Sequence, residues 1–118
     1  MSDTRPWENQ FSVEQIDIVE ETPDLRVLHM TLSKGEKVPW HWHSEIRDRF
    51  YCLTGSVEVE SRAPSSLHTL GPGDTCVMDP LVAHEVRNIG DGPARLILVQ
   101  GVGAYDYHPV GREAGSTQ

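Results

Sequence analysis

Nine short apolar or alternating runs, each closed off by turn-forming residues, leave this chain few folds to choose from. They are Gln15–Glu20, Leu25–Leu32, Lys37–Trp42, Asp48–Leu53, Ser56–Arg62, Leu67–Leu70, Thr75–Met78, His84–Ile89 and Arg95–Gln100. Helix-period apolar stripes are almost absent, and strand-length runs at this spacing predict an all-β sandwich or barrel. The punctuation has its own chemistry. Ser33-Lys34-Gly35, Thr54-Gly55, Ala63-Pro64-Ser65-Ser66, Gly71-Pro72-Gly73-Asp74 and Gly90-Asp91-Gly92-Pro93 are all turn formers. Connections stay short and no internal repeat is visible, so 118 residues read as one domain with one modest core.

Charge narrows the range of partners. The formal net charge is −8, and an acidic surface repels nucleic-acid backbones and anionic membranes alike. No apolar run is long enough to span a bilayer. Met1-Ser2-Asp3-Thr4-Arg5-Pro6 lacks the basic start and apolar stretch of a secretory signal, which makes a cytoplasmic location the expectation. Cys52 and Cys76 are too few for a disulfide scaffold, and both fall in apolar runs where cysteine acts as a small buried hydrophobe.

The chemistry concentrates in Trp40-His41-Trp42-His43. Two positions apart in a strand, His41 and His43 face one side and the tryptophans the other. Neutral imidazoles so placed can share a transition-metal ion, although a His-x-His pair alone equally describes two surface histidines. Further along, His84, Val86 and Asn88 share a strand face, so a third imidazole reaches the first two if their strands are neighbours.

Together these residues resemble the two motifs of the cupin superfamily. Gly35, His41, His43, Asp48 and Gly55 match the first motif, in which an acid follows the His-x-His pair. Gly73, His84 and Asn88 match the second, and the resemblance covers about residues 25 to 100. It implies a small single-domain cupin over residues 1–118, a double-stranded β-helix (jelly-roll) barrel with its core at about 13–102. The small polar tail, 111–118, is expected to be flexible. The metal ligands implied are His41, His43, Asp48 and His84, around one divalent transition-metal ion (Fe, Mn, Ni, Zn, Co or Cu).

This chain departs from the family pattern twice. The family's usual acid is glutamate, and Asp48 reaches about 1.5 Å less. Asp48 therefore ligates directly, holds the ion through a water, orients a ligand histidine, or pairs with an arginine such as Arg47 or Arg49. Second, where the family shows proline, any residue and glycine, this chain reads Asp79-Pro80-Leu81, and the turn into the His84 strand must form without glycine. Asp79 is a secondary candidate for the pocket, and Glu45 is expected to face solvent.

A metal with open positions suits a small chelating organic substrate. The first reading is an enzyme with dioxygenase chemistry on a diol, enol or diketone. One alternative is a redox-neutral isomerase, lyase or cyclase with Asp48 as proton carrier, and another is a non-catalytic binding or sensing module. The resemblance also implies a homodimer, for which Ile16, Ile18 and Val19 offer an apolar edge. His29 is expected to be a hydrogen-bonded core or interface histidine and His68 to be exposed. The segment Gly103–Pro109, rich in tyrosine and histidine, either docks outside the sheet, the plainer expectation, or covers a barrel mouth.

Overall fold

A computed structural model describes residues 13–110 as ten antiparallel strands in two five-stranded sheets, with no helix among them. The strands are β1 (Gln15–Thr22), β2 (Leu25–Leu32), β3 (Lys37–Trp42), β4 (Arg47–Thr54), β5 (Val57–Ser61), β6 (Ser66–Leu70), β7 (Thr75–Met78), β8 (His84–Asn88), β9 (Ala94–Gly101) and β10 (His108–Pro109). One sheet runs β1-β2-β9-β4-β7 and the other β10-β3-β8-β5-β6. This is the expected jelly roll. The tail 111–118 and the N-terminal residues to 12 lie outside the described residues.

Register explains where the core ends and the site begins. Period-two alternation sends every second side chain inward, and antiparallel pairing stacks those side chains into cross-strand rows. In the first sheet one row is apolar, with Leu28 opposite Leu98, Leu98 opposite Phe50, and Phe50 opposite Cys76. Val38, Val86 and Val59 make the matching row of the second sheet. All seven are buried, and they form one apolar cluster with Met30, Leu32, Leu96 and their neighbours.

Two residues further along the strands, or three on β3 where its register against β8 shifts, the rows turn largely polar without turning outward. In the first sheet Arg26 lies opposite Gln100, Gln100 opposite Asp48, and Asp48 opposite Met78. In the second sheet His84 is flanked by His41 and Ser61. Each of these side chains is buried. One end of the barrel is therefore an apolar plug and the other a buried polar chamber.

Several expectations changed on folding. The segment after β9 does not dock outside the sheet but crosses the mouth of the chamber and ends as β10, paired with β3. His29 is not a core residue, being half-buried opposite Asp17 and Ile97 on the first sheet. Asp79 is exposed and pairs with Arg47, away from the chamber. Ile16 and Ile18 pack on this barrel's own core, and Val19 stays 57% exposed. His68 is exposed, and both cysteines are buried free thiols.

Two positions in turns carry opposite strain. Gly55 has φ +85, and a Cβ there would lie 2.7 Å from Ala94 Cα, so both conformation and space demand glycine. Leu81 stands where the second motif has glycine and takes φ +71 itself. Its amide donates to His43 O at 2.8 Å, which pins this turn to the end of β3. A left-handed conformation costs an L-residue about 1–2 kcal/mol, and the Leu81 side chain recovers little by burial, being 68% exposed. Gly55→Ala is therefore expected to cost about 2–4 kcal/mol. Leu81→Gly is expected to gain about 0.5–1 kcal/mol. Urea midpoints at unchanged m-value measure both, and destabilisation by Leu81→Gly would contradict the strain assigned to that turn.

Candidate metal centre

His41, His43, Asp48 and His84 meet in the chamber, with ligand atoms all within 4.8 Å of one another. All four are buried, Asp48 and His84 each at 1% exposure. β3 supplies His41 and the turn after it supplies His43, while β8 supplies His84 directly opposite His41. Asp48 comes from β4 in the facing sheet, so the cluster joins the two halves of the barrel.

Each imidazole is tethered through the same nitrogen. Nδ1 of His41 lies 2.7 Å from Pro39 O, that of His43 2.6 Å from Asp106 O, and that of His84 3.0 Å from Val82 O. A carbonyl oxygen only accepts, so each Nδ1 carries a proton and donates it. A neutral ring then presents a bare Nε2 lone pair to the chamber, as a ligand histidine held by an outer hydrogen bond does.

Asp48 makes that convergence informative. Its Oδ2 lies 3.0 Å from Nε2 of both His43 and His84, and its Oδ1 accepts from Gln100 Nε2 at 2.8 Å. With neutral rings, lone pairs would face a carboxylate at close range, and only a cation makes such an arrangement favourable. A proton on Nε2 is one such cation and a divalent metal ion is the other. Three imidazoles and a carboxylate, with both charges buried, form a donor set that fits a single transition-metal ion. Among the described residues Asp48 pairs with no arginine. Nor does it orient a histidine through Nδ1, since all three Nδ1 atoms are held by backbone carbonyls.

The titration of the cluster follows from the same contacts. Burial, reinforced by the neighbouring His84 and His43, holds His41 well below the ordinary imidazole range. Burial also opposes charging His43, but the charge and hydrogen bond of Asp48 outweigh it and raise this group. Burial likewise opposes ionising Asp48, yet the charge and hydrogen bonds of His43 and His84 prevail and keep it well below the ordinary carboxylate range.

The strap between β9 and β10 completes the chamber. Gly103 N donates to Asp24 O at 2.9 Å and Ala104 N to Glu45 Oε1 at 3.0 Å. Both the amide and the hydroxyl of Ser44 donate to the Asp106 carboxylate, whose other neighbour is His108. His108 also stacks on Trp42 at 4.0 Å, and Tyr107 stacks on His41 at 4.7 Å. Tyr105 and Tyr107 thus roof a cavity of about 30 Å³, whose walls are Ile16, Val38, Phe50, Leu98 and similar residues around the histidines, Asp48 and Gln100. Tyr105, Asp106 and Tyr107 lie in the run for which covering a barrel mouth was the second expectation, whereas Gln100 was not singled out. The first three were signalled by a polar-aromatic run outside any strand, and Gln100 only by being an inward position in an apolar strand. Asn88 is structural, its amide donating to Leu32 O and Gly92 O and tying the far turn together.

A jelly-roll barrel with three histidines and an acid gathered at its open end defines a class of metal-site barrels. This chain belongs to the cupin family, matching the cupin domain over residues 28–100. It is similar to L-ectoine synthase of Marinomonas sp. (strain MWYL1), 33% identical over 57 residues, which span 48% of this chain and 43% of that protein. Among solved structures, a conserved Klebsiella pneumoniae protein with a double-stranded β-helix domain superposes with a TM-score of 0.70 at 22% identity, over 87% of this chain and 86% of that one. KdgF from Halomonas sp. superposes at 0.63 with 25% identity over 74% and 77%. Oxalate decarboxylase of Lactobacillus farciminis does so at 0.75 with 16% identity, over 93% of this chain and 36% of that one.

The pH dependence separates the two cations. Well above the unfolded imidazole value of about 6.5 the buried His41 is neutral folded and unfolded, so His43 dominates there. Its raised value means that the proton-bridged pair stabilises the metal-free protein below the unfolded value and is lost as pH rises through the folded one. Metal binding runs the other way, because it requires proton-free rings. As pH rises above the unfolded imidazole value of about 6.5, the gap in Tm between metal-loaded and chelator-stripped protein should widen. A gap that narrows with rising pH would contradict this arrangement, and differential scanning calorimetry on both forms measures it.

Proposed function

We propose that this protein is a metal-dependent enzyme that oxidises a small chelating organic molecule with dioxygen, with His41, His43, Asp48 and His84 as ligands. The observation that carries this reading is the lining of the chamber. Its titratable members are His41, His43, Asp48, Tyr105 and Tyr107, with apolar side chains and Gln100 between them. Neither Asp48 nor Tyr105 is poised as a proton-transfer base. Asp48 stays ionised and is committed to two imidazoles and an amide, and burial pushes the Tyr105 phenol far above its ordinary value. Isomerase or lyase chemistry needs a group that takes and returns a proton, and the commitments of Asp48 and Tyr105 favour the oxidative reading over the redox-neutral one.

A bound iron or copper ion would supply dioxygen activation and open positions for a bidentate ligand. The chain's own contribution is positional. Backbone carbonyls aim the three Nε2 atoms, Asp48 balances the ion's charge, and the tyrosine roof with its apolar walls keeps bulk water from the reacting centre. The relatives fit a chemistry of small polar molecules, since oxalate decarboxylase and ectoine synthase both act on compounds of that size.

Alanine at His41, His43 or His84 is expected to abolish stoichiometric metal binding, while Asp48→Asn should weaken it by about 10–100-fold. Elemental analysis and metal titration measure both. Oxygen consumption with small diols, enols and diketones should follow metal content across these variants. Metal-loaded protein that turns such compounds over without consuming oxygen would overturn the dioxygenase reading in favour of redox-neutral chemistry. Ligand binding with no turnover would favour a sensing module.

A further inference from the structure

Tyr105 stands between two cavities of very different size. On its inner side is the chamber of about 30 Å³ bordered by His41, His43 and Asp48. On its outer side a recess of about 530 Å³ lies between the turn joining β1 to β2 and the start of the strap, with Thr22, Leu25, Arg26 and Ala104 in its walls. Among the described residues Tyr105 alone lines both. Small-molecule sites run to roughly 300–1,000 Å³, whereas the chamber has room for about two waters. A chelator of several heavy atoms therefore fits the recess, and reaches the ligand histidines only when the roof moves.

The roof is not held equally along its length. Tyr107 stacks on His41, and the two residues after it pair with Trp42 and His41 as β10. Asp106 is anchored to Ser44 through its carboxylate and to His43 through its carbonyl. Lifting that part breaks backbone pairing and side-chain bonds together. Tyr105 lies outside any strand, with the Arg26 guanidinium carbon 3.8 Å from its ring centroid and the His43 ring at 5.3 Å. Turning its ring into the recess is a change of rotamer. Such a turn leaves in place the backbone anchors before it, Gly103 N to Asp24 O and Ala104 N to Glu45 Oε1.

We propose that ligands reach the metal centre through this recess and that Tyr105 is the gating residue, its ring swinging outward to join the two cavities. The proposal rests on the metal-holding reading of the cluster. Selection is then by size. A compact chelator passes when one side chain moves, and a bulkier one needs the anchored part of the strap to open as well.

Stopped-flow binding of acetohydroxamate to the full chain loaded with Co(II) tests it, read from the visible spectrum of the cobalt ion. A closed gate lowers the association rate by the fraction of time it is open. Tyr105→Ala removes the gate, and Ala104→Trp puts bulk into the recess from an exposed position. Both variants are expected to hold one cobalt per chain. Association should be at least about tenfold faster in Tyr105→Ala and at least about tenfold slower in Ala104→Trp. A rate in Tyr105→Ala within about twofold of wild type would overturn the proposal and leave the metal site standing. So would an unchanged rate in Ala104→Trp, since entry would then bypass the recess. Cobalt-loaded wild type and Tyr105→Ala that both ignore the probe would overturn it too. Failure of wild type to take up cobalt would overturn both the proposal and the metal reading. If Tyr105→Ala does not fold, Ala104→Trp decides alone.

Discussion

A carboxylate enclosed at 1% exposure is the constraint on which this structure turns. Removing the charge of Asp48 from water is tolerable only if positive charge and donors surround it. The fold supplies them from three directions, with His43 and His84 on one oxygen and Gln100 on the other. Because His84 lies on one sheet and His43 directly follows its strand β3, while Asp48 and Gln100 lie on the other sheet, this requirement is also a clamp between the sheets. A metal ion, with its greater charge and its preference for several donors at once, meets the same requirement more completely than protons do.

The barrel is arranged to make that clamp possible. Its apolar rows form one buried cluster, and in the first sheet the polar row follows on the same strands two residues later, without a change of face. The strap from Gly103 to Pro109 then closes the open end. It contributes more than cover, since Asp106 O fixes the tautomer of His43 and Tyr107 lies flat on His41. Strap and ligands are thus mechanically coupled, and whatever enters the chamber must displace the strap or be small enough to pass it.

Much of this was legible in the sequence, for identifiable reasons. Period-two alternation gave strand positions to within a residue or two, and the spacing of Gly35, His41, His43, Asp48, Gly55, Gly73 and His84 pointed to one chamber. The placement of Tyr105 and Tyr107 was not legible, because the run has no periodicity and its docking depends on Ser44, Glu45 and Asp24, all distant in sequence. Gln100 was hidden for another reason. Its role comes from register with Arg26 and Asp48, and register is a property of pairing that one strand's sequence does not contain. Leu81 shows the reverse case. The departure from the family's glycine was visible, but the backbone kept the left-handed turn and Leu81 adopted it.

The central claim is that three Nε2 atoms, each aimed by an Nδ1–H donated to a carbonyl, converge with Asp48 on one ion. X-ray absorption spectroscopy on protein reconstituted with one equivalent of metal tests it most directly. The account predicts three imidazole nitrogens and at least one oxygen at about 2.0–2.2 Å, with no sulfur despite two cysteines in the chain. Fewer than three imidazoles, or a sulfur neighbour, would contradict it.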